Sequence, residues 1–164
     1  MKKILLMGNP NVGKSVIFSR LTGAYVMASN YPGTTIDYSK GKMRIDNKRY
    51  EIIDVPGTYS LDPSCKAEEV AVKMLAEGDI VINVIDATNL ERNLYLTLEL
   101  IDQKKPIIIS LNLWDEAKHK GIEIDEKKLE EMLGVPVVAT IALTGEGIKE
   151  LITRLKNIDE KIKK

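Results

Sequence analysis

Apolar residues in this chain arrive in short runs separated by segments of helical spacing. The runs cover Lys3–Met7, Tyr50–Asp54, Asp79–Ile85, Pro106–Leu111 and Val135–Thr140, several with consecutive apolar positions. Strands covered on both faces carry that pattern, because both rows of side chains meet helices. Between them, Leu90, Leu94, Leu98 and Ile101 recur at helical spacing, as do Ile148, Leu151, Ile152, Leu155 and Ile158. This predicts amphipathic helices lying on a sheet. Tyr38–Ile45, the pair Asp46-Asn47 and the extended run Arg49–Ile53 read as a hairpin that adds one antiparallel strand. The expected fold is α/β: a three-layer domain with a mostly parallel six-stranded sheet, one antiparallel strand and helices on both faces. Its ligand belongs at the carboxyl ends of the strands.

A length of 164 residues suits one domain, so residues 1–164 are expected to form a single unit. Hydrophobic residues make up 44% and charged residues 29%, a globular composition. Lys+Arg and Asp+Glu number 24 each, so charge gives no reason to expect nucleic acid or an anionic membrane as partner. With Cys65 alone no intramolecular disulfide forms, and Met1–Met7 is too short for a signal peptide. The longest apolar stretches, around Ile80–Ile85 and Ile107–Leu113, fall short of the roughly 20 residues that span a bilayer. A cytoplasmic setting is expected, with any membrane approached from outside the bilayer.

The sharpest chemical pattern is Gly8-Asn9-Pro10-Asn11-Val12-Gly13-Lys14-Ser15, set between the first strand and the helical segment Val16–Leu21. Glycines there let backbone N–H groups close around phosphate oxygens, and the helix adds its positive end. Lys14 is expected to reach the β- and γ-phosphates and Ser15 to hold Mg²⁺. The loop alone leaves base and reaction open, since kinases and ATPases share it. Downstream, Asp54-Val55-Pro56-Gly57 closes a core strand. Asp54 is placed to hold the metal through water, and the Gly57 N–H to meet the γ-phosphate. Between them, Asn30-Tyr31-Pro32-Gly33-Thr34-Thr35 reads as a mobile loop. Thr35 is expected to be the γ-phosphate-sensing Mg²⁺ ligand, with Thr34 its nearest competitor.

Asn112-Leu113-Trp114-Asp115 follows the strand ending at Leu111. Asp115 can accept hydrogen bonds from the N1–H and amine of guanine, whereas adenine offers no donor at that ring nitrogen. Ile141-Ala142-Leu143 is expected to close over the base, with the Ala142 N–H aimed at the guanine oxygen. His119 lies in a charged stretch without a partner at ligand spacing, and Trp114 either packs on the next helix or meets the base.

In this order the motifs resemble those of the translation-factor-related small GTPases, P-loop proteins of the small G-domain fold. Over nearly the whole chain they are similar to the cytosolic G domain of the ferrous iron transport protein B (FeoB) family. Gly8–Ser15, Asn30–Thr35, Asp54–Leu61 and Asp86–Leu94 carry the match, the last most specifically. The resemblance implies a Mg²⁺-dependent GTPase acting as a nucleotide switch linked to ferrous iron transport. Hydrolysis is expected to be slow, because Thr58 stands where Ras-type relatives carry a water-orienting glutamine. Asn11 occupies the position of an asparagine that coordinates K⁺ in potassium-stimulated relatives; the alternative is a loop-shaping residue.

Three positions depart from the pattern. Leu113 replaces the usual lysine, Tyr31 a frequent tryptophan, and Ile141 a polar residue. The expected partners are GTP and GDP, the helical and membrane portions of a longer chain if this is a fragment, and a second copy in a homo-oligomer. One rival reading is a nucleotide-binding module without useful hydrolysis, and another a FeoB-like GTPase not coupled to iron. A nucleotide kinase would need an arginine lid, whereas Arg20, Arg44, Arg49, Arg92 and Arg154 are scattered.

Overall fold

The computed structural model describes residues 1–23 and 26–163. The chain runs β1 (Lys2–Met7), α1 (Lys14–Thr22), β2 (Val26–Asn30), β3 (Asp37–Ile45), β4 (Lys48–Asp54), α2 (Lys66–Glu77) and β5 (Ile80–Asp86). It continues with α3 (Leu90–Asp102), β6 (Ile107–Asn112), α4 (Trp114–His119), α5 (Glu126–Leu133), β7 (Val137–Ala139) and α6 (Ile148–Ile162). The sheet has seven strands in the order β2-β3-β4-β1-β5-β6-β7. Pairing is parallel from β4 through β7, while β3 runs antiparallel to both β2 and β4. One reversed strand is what the hairpin pattern predicts.

The seventh strand was not expected. In β2 every residue is exposed except the half-buried Ser29, so no alternation marks it. It forms instead by pairing, from Val26↔Gly41 to Asn30↔Asp37.

Successive residues of the central strands face opposite layers. Ile4 and Leu6 meet Ile17, Phe18, Leu151 and Leu155 of α1 and α6. Leu5 and Met7 meet Val70, Met74, Leu96 and Leu100 of α2 and α3. A third cluster joins Ile85, Ile109 and Leu111 to α4 and α5. Each such buried side chain contributes about 1.5–3 kcal/mol, which is why the double-faced strands read as continuous apolar runs. For α3 the expected stripe is rotated: Leu98 is 57% exposed, and the buried positions are Asn93, Leu96, Thr97 and Leu100. Polar Asn93 and Thr97 hid that face from a hydrophobic count.

At the amino ends of the strands, α6 is bolted to the sheet. Asp159, 1% exposed, accepts from Tyr50 Oη at 2.5 Å, from Lys48 at 3.3 Å and from Lys2. Burial pushes its carboxyl up, but the hydrogen bonds from Lys2, Tyr50 and Lys48 outweigh it and bring the pKa down to about 2. Among the described residues no helix is long and apolar enough to cross a membrane.

Candidate functional site

The phosphate loop links β1 to α1 with Gly13 as the residue before the helix, at φ 86°. A Cβ on Gly13 would stand 2.3 Å from the Asn112 side chain, so both conformation and space require glycine. Asn11 also adopts a left-handed conformation, φ 65°, which asparagine tolerates better than most residues. Asn9 is 4% exposed, and its buried Oδ1 has no partner. Pro10 has no N–H to give. The backbone donors from Asn11 onward lead directly into α1.

Lys14 forms an ion pair with Asp54 and also donates to the carbonyl of Val55. Ser15 Oγ donates to the other Asp54 oxygen at 3.3 Å. The ammonium, hydroxyl and carboxylate expected to share a metal and a phosphate thus meet at one point. Ser15 and Asp54 offer the hard oxygen donors that Mg²⁺ takes, beside a cation suited to phosphate, so the residues fit that ion. Among the described residues no three His, Cys, Asp or Glu side chains group as a metal site. A Mg²⁺ site completed by phosphates needs no such group.

Gly57 lies against this loop. A Cβ there would come within 3.1 Å of Pro10, and the next residue, Thr58, donates its N–H to the Gly8 carbonyl at 3.0 Å. The Thr58 side chain is turned away and is 1% exposed. Its hydroxyl is 2.7 Å from both Ser60 O and Glu68 Oε2. Hydrogen bonds from Ser64 and then Thr58 hold the Glu68 carboxyl at a pKa of about 2. A side chain so engaged does not orient water.

Thr34 and Thr35 are separated by their hydrogen bonds. Thr34 Oγ1 donates to the Tyr31 carbonyl at 2.8 Å and accepts from Ile36 N at 3.1 Å. That hydroxyl is consumed by its own turn, which favours Thr35 as the ligand. The segment read as a mobile loop is a tight hairpin turn joining β2 to β3, closed by Tyr31 N to Ile36 O at 3.0 Å. Tyr31 also reaches Glu77 on α2 at 3.1 Å. Gly33, Thr34 and Thr35 line a separate depression with Lys66, so the structure does not bring Thr35 to Ser15 and Asp54.

A cavity of about 580 Å³ opens at the carboxyl ends of the strands. Asn11, Gly13, Val16, Asn112, Leu113 and Asp115 line it together with Ile141, Ala142 and Leu143, as the sequence predicts. Asn112, 1% exposed, is its keystone: Nδ2 donates to Val12 O at 3.0 Å, and Oδ1 accepts from Thr140 Oγ1 and Ala142 N, each at 3.1 Å. This corrects the expectation that the Ala142 N–H faces the base, because the buried asparagine oxygen takes it. Asp115 is exposed in the first turn of α4, and Leu113 before it adopts φ 59°, which costs a non-glycine residue roughly 1 kcal/mol. Trp114 packs with the α4 cluster, with Lys118 5.5 Å from its ring. His119 is exposed.

Sequence reasoning missed several residues here. Asp86, Thr88, Glu116 and Lys120 also line the cavity. Arg20, counted as scattered, donates to the carbonyls of Ala142 at 2.9 Å and Leu143 at 2.5 Å, so α1 holds the closing loop. Nothing local marks a residue whose partners lie 122 and 123 positions away. The cavity wall at Asp86 and Thr88 could have been anticipated, since that segment ends a core strand.

A family model described as ferrous iron transport protein B matches residues 2–155. A Porphyromonas gingivalis Fe(2+) transport protein A/Fe(2+) transporter FeoB fusion protein is 45% identical over 161 residues, covering 96% of this chain and 19% of that protein. The chain therefore spans about a fifth of that relative's length. The cytosolic domain of Legionella pneumophila FeoB superposes with a TM-score of 0.93 at 40% identity, covering 96% of this chain and 63% of that one. The T. maritima FeoB cytosolic domain in its GMPPNP form gives 0.91 at 40% identity, again covering 96% and 63%.

Proposed function

Because this chain belongs to the ferrous iron transport protein B family, we propose that it is the G domain of an Fe(2+) transporter, a slow Mg²⁺-dependent GTPase that switches with its nucleotide. The observation that carries this reading is the union of the Lys14–Ser15–Asp54 cluster and the cavity bearing Asp115 at one end of the sheet. The guanine lies against Asp115 in the cavity, and the triphosphate runs to Lys14. The Lys14–Asp54 pair is arranged for exchange: phosphate draws the ammonium and a dication draws the carboxylate. Mg²⁺ held by Ser15 and Asp54 would screen the phosphate charge, Thr35 would join them only once its turn moves toward the phosphate loop, and K⁺ held by Asn11 would add to that screening.

In the reaction water attacks the γ-phosphorus, the bond to the β–γ bridging oxygen breaks, and GDP and phosphate leave. Lys14 and the amides of the loop hold the growing charge, so positioning supplies most of the catalysis. Turnover is slow because Thr58 is locked to Glu68 and Ser60. That same locking favours the second reading, a binding module without useful hydrolysis.

Calorimetry with GTP, GDP and ATP tests the base assignment, and Asp115→Asn should move preference toward xanthine nucleotides. ATP held as tightly as GTP would sink it. Single-turnover phosphate release separates the two readings, with faster release in KCl than in NaCl expected and background release favouring the module.

A further inference from the structure

The segment Asp86–Leu94 has no part in the mechanism above, yet it opens a helix that touches three parts of the site. Thr97 Oγ1 donates to Asn83 Oδ1 at 2.6 Å, and Asn83 Nδ2 donates to the carbonyl of Met7, next to the phosphate loop, at 3.1 Å. One turn earlier Asn93 accepts from the Asp86 N–H at 3.2 Å and donates to the Asn89 carbonyl at 2.8 Å. Those bonds fix the turn that presents Asp86 and Thr88 to the cavity.

The third contact is with the loop after Gly57. Glu99 accepts from Ser60 Oγ at 3.0 Å and from the Leu61 N–H at 2.9 Å, one bond to each carboxylate oxygen. Arg92, two turns earlier on the same side of α3, sets its guanidinium 4.7 Å from the Tyr59 ring centre. Leu96 and Leu100 already seat α3 on the sheet, so packing does not require these contacts. They fasten residues 59–61, while Thr58 N–H fastens the same loop to Gly8. Gly57 lies just beyond that second fastening, with little slack between the two.

We infer that Glu99, assisted by Arg92, is a positioning residue for GTP hydrolysis. It holds residues 58–61 so that Gly57 stays against the phosphate loop, and it acts without touching the reacting atoms. The inference rests on the GTPase reading. One rigid helix then links the nucleotide cavity wall, the root of the phosphate loop and the γ-phosphate-facing loop.

The test is single-turnover hydrolysis at saturating GTP, with GTP and GDP affinities measured in parallel, for Glu99→Ala, Glu99→Gln and Arg92→Ala. Misplacing a γ-phosphate contact by a fraction of an ångström predicts about tenfold slower hydrolysis for Glu99→Ala, with affinities within about twofold. Glu99→Gln keeps one acceptor oxygen and should recover part of the rate. Tyr95→Ala, on an exposed site of the same helix, should hydrolyse like the native chain. Arg92→Ala removes an exposed side chain and keeps the question open to measurement if Glu99→Ala folds poorly; it should slow hydrolysis about threefold. Native rates in Glu99→Ala, or rate and affinity falling together, overturn the inference alone. A native chain that binds GTP but releases no phosphate overturns the GTPase reading and the inference with it.

Discussion

Replacing Asn112 by alanine strips the cavity of its keystone, and the loss can be worked from the contacts. The change strands the Val12 carbonyl and the Ala142 N–H, both within residues no more than 4% exposed. Thr140 keeps Ser110 at 2.8 Å and loses less. A buried polar group left without its partner costs about 1–3 kcal/mol, so two at about 1.5 kcal/mol each give about 3 kcal/mol. A chain of this size loses roughly 2–4 °C of Tm per kcal/mol, which predicts a fall of about 6–12 °C. Total stability of about 5–15 kcal/mol leaves the variant folded at room temperature. Thermal unfolding followed by circular dichroism reads the shift, with Ser110→Ala as the comparison that should cost about 1 kcal/mol. Because the same amide ties the phosphate loop to the closing loop, GDP affinity should fall more than about tenfold, beyond what removing a surface contact gives. A Tm within about 2 °C of native would show the tie to be redundant and refute the reasoning.

Arg20→Ala frees the Ala142 and Leu143 carbonyls and should raise the Kd for GDP about fivefold, with Arg20→Lys restoring little because one ammonium cannot match two fixed guanidinium donors; unchanged titration curves would count against the clamp. Acid stability follows from Glu68 and Asp159, whose folded pKa values near 2 lie below their ordinary 4.5 and 3.8. A depressed folded pKa means fewer protons bound when folded, so both groups stabilise above the ordinary values, and the contribution fades as pH drops from about 4.5 toward 2. For nearly inaccessible Asp159 it amounts to about 2 kcal/mol. Urea unfolding between pH 7 and 3 should therefore steepen less for Asp159→Asn, and an identical slope would exclude this account.

The strands buried on both faces were legible because continuous apolar runs admit few other readings, and the phosphate loop because glycine, lysine and serine at fixed spacing have a mechanism. β2 was hidden because an exposed edge strand carries no periodicity and exists only through its partner. The face of α3 was misjudged because Asn93 and Thr97 are buried by hydrogen bonding, and hydropathy does not register that. Arg20 and Glu99 act on segments distant in sequence, so only the folded topology reveals them. The Ala142 N–H went to Asn112 because a buried acceptor binds more strongly than an open cavity can.

The Asp159 cluster lies at the pole away from the Asn112 cavity, where β1 starts and α6 finishes. Any segment joined beyond α6 would hang from that pole, and a pull on it would load the carboxylate, Lys2 and Tyr50 before it reached the ligand. β1 is the direct line between the two poles, six residues or about 20 Å long. Mechanical messages in either direction would pass lengthwise down this central strand, which is hydrogen-bonded on both sides, to β4 and to β5.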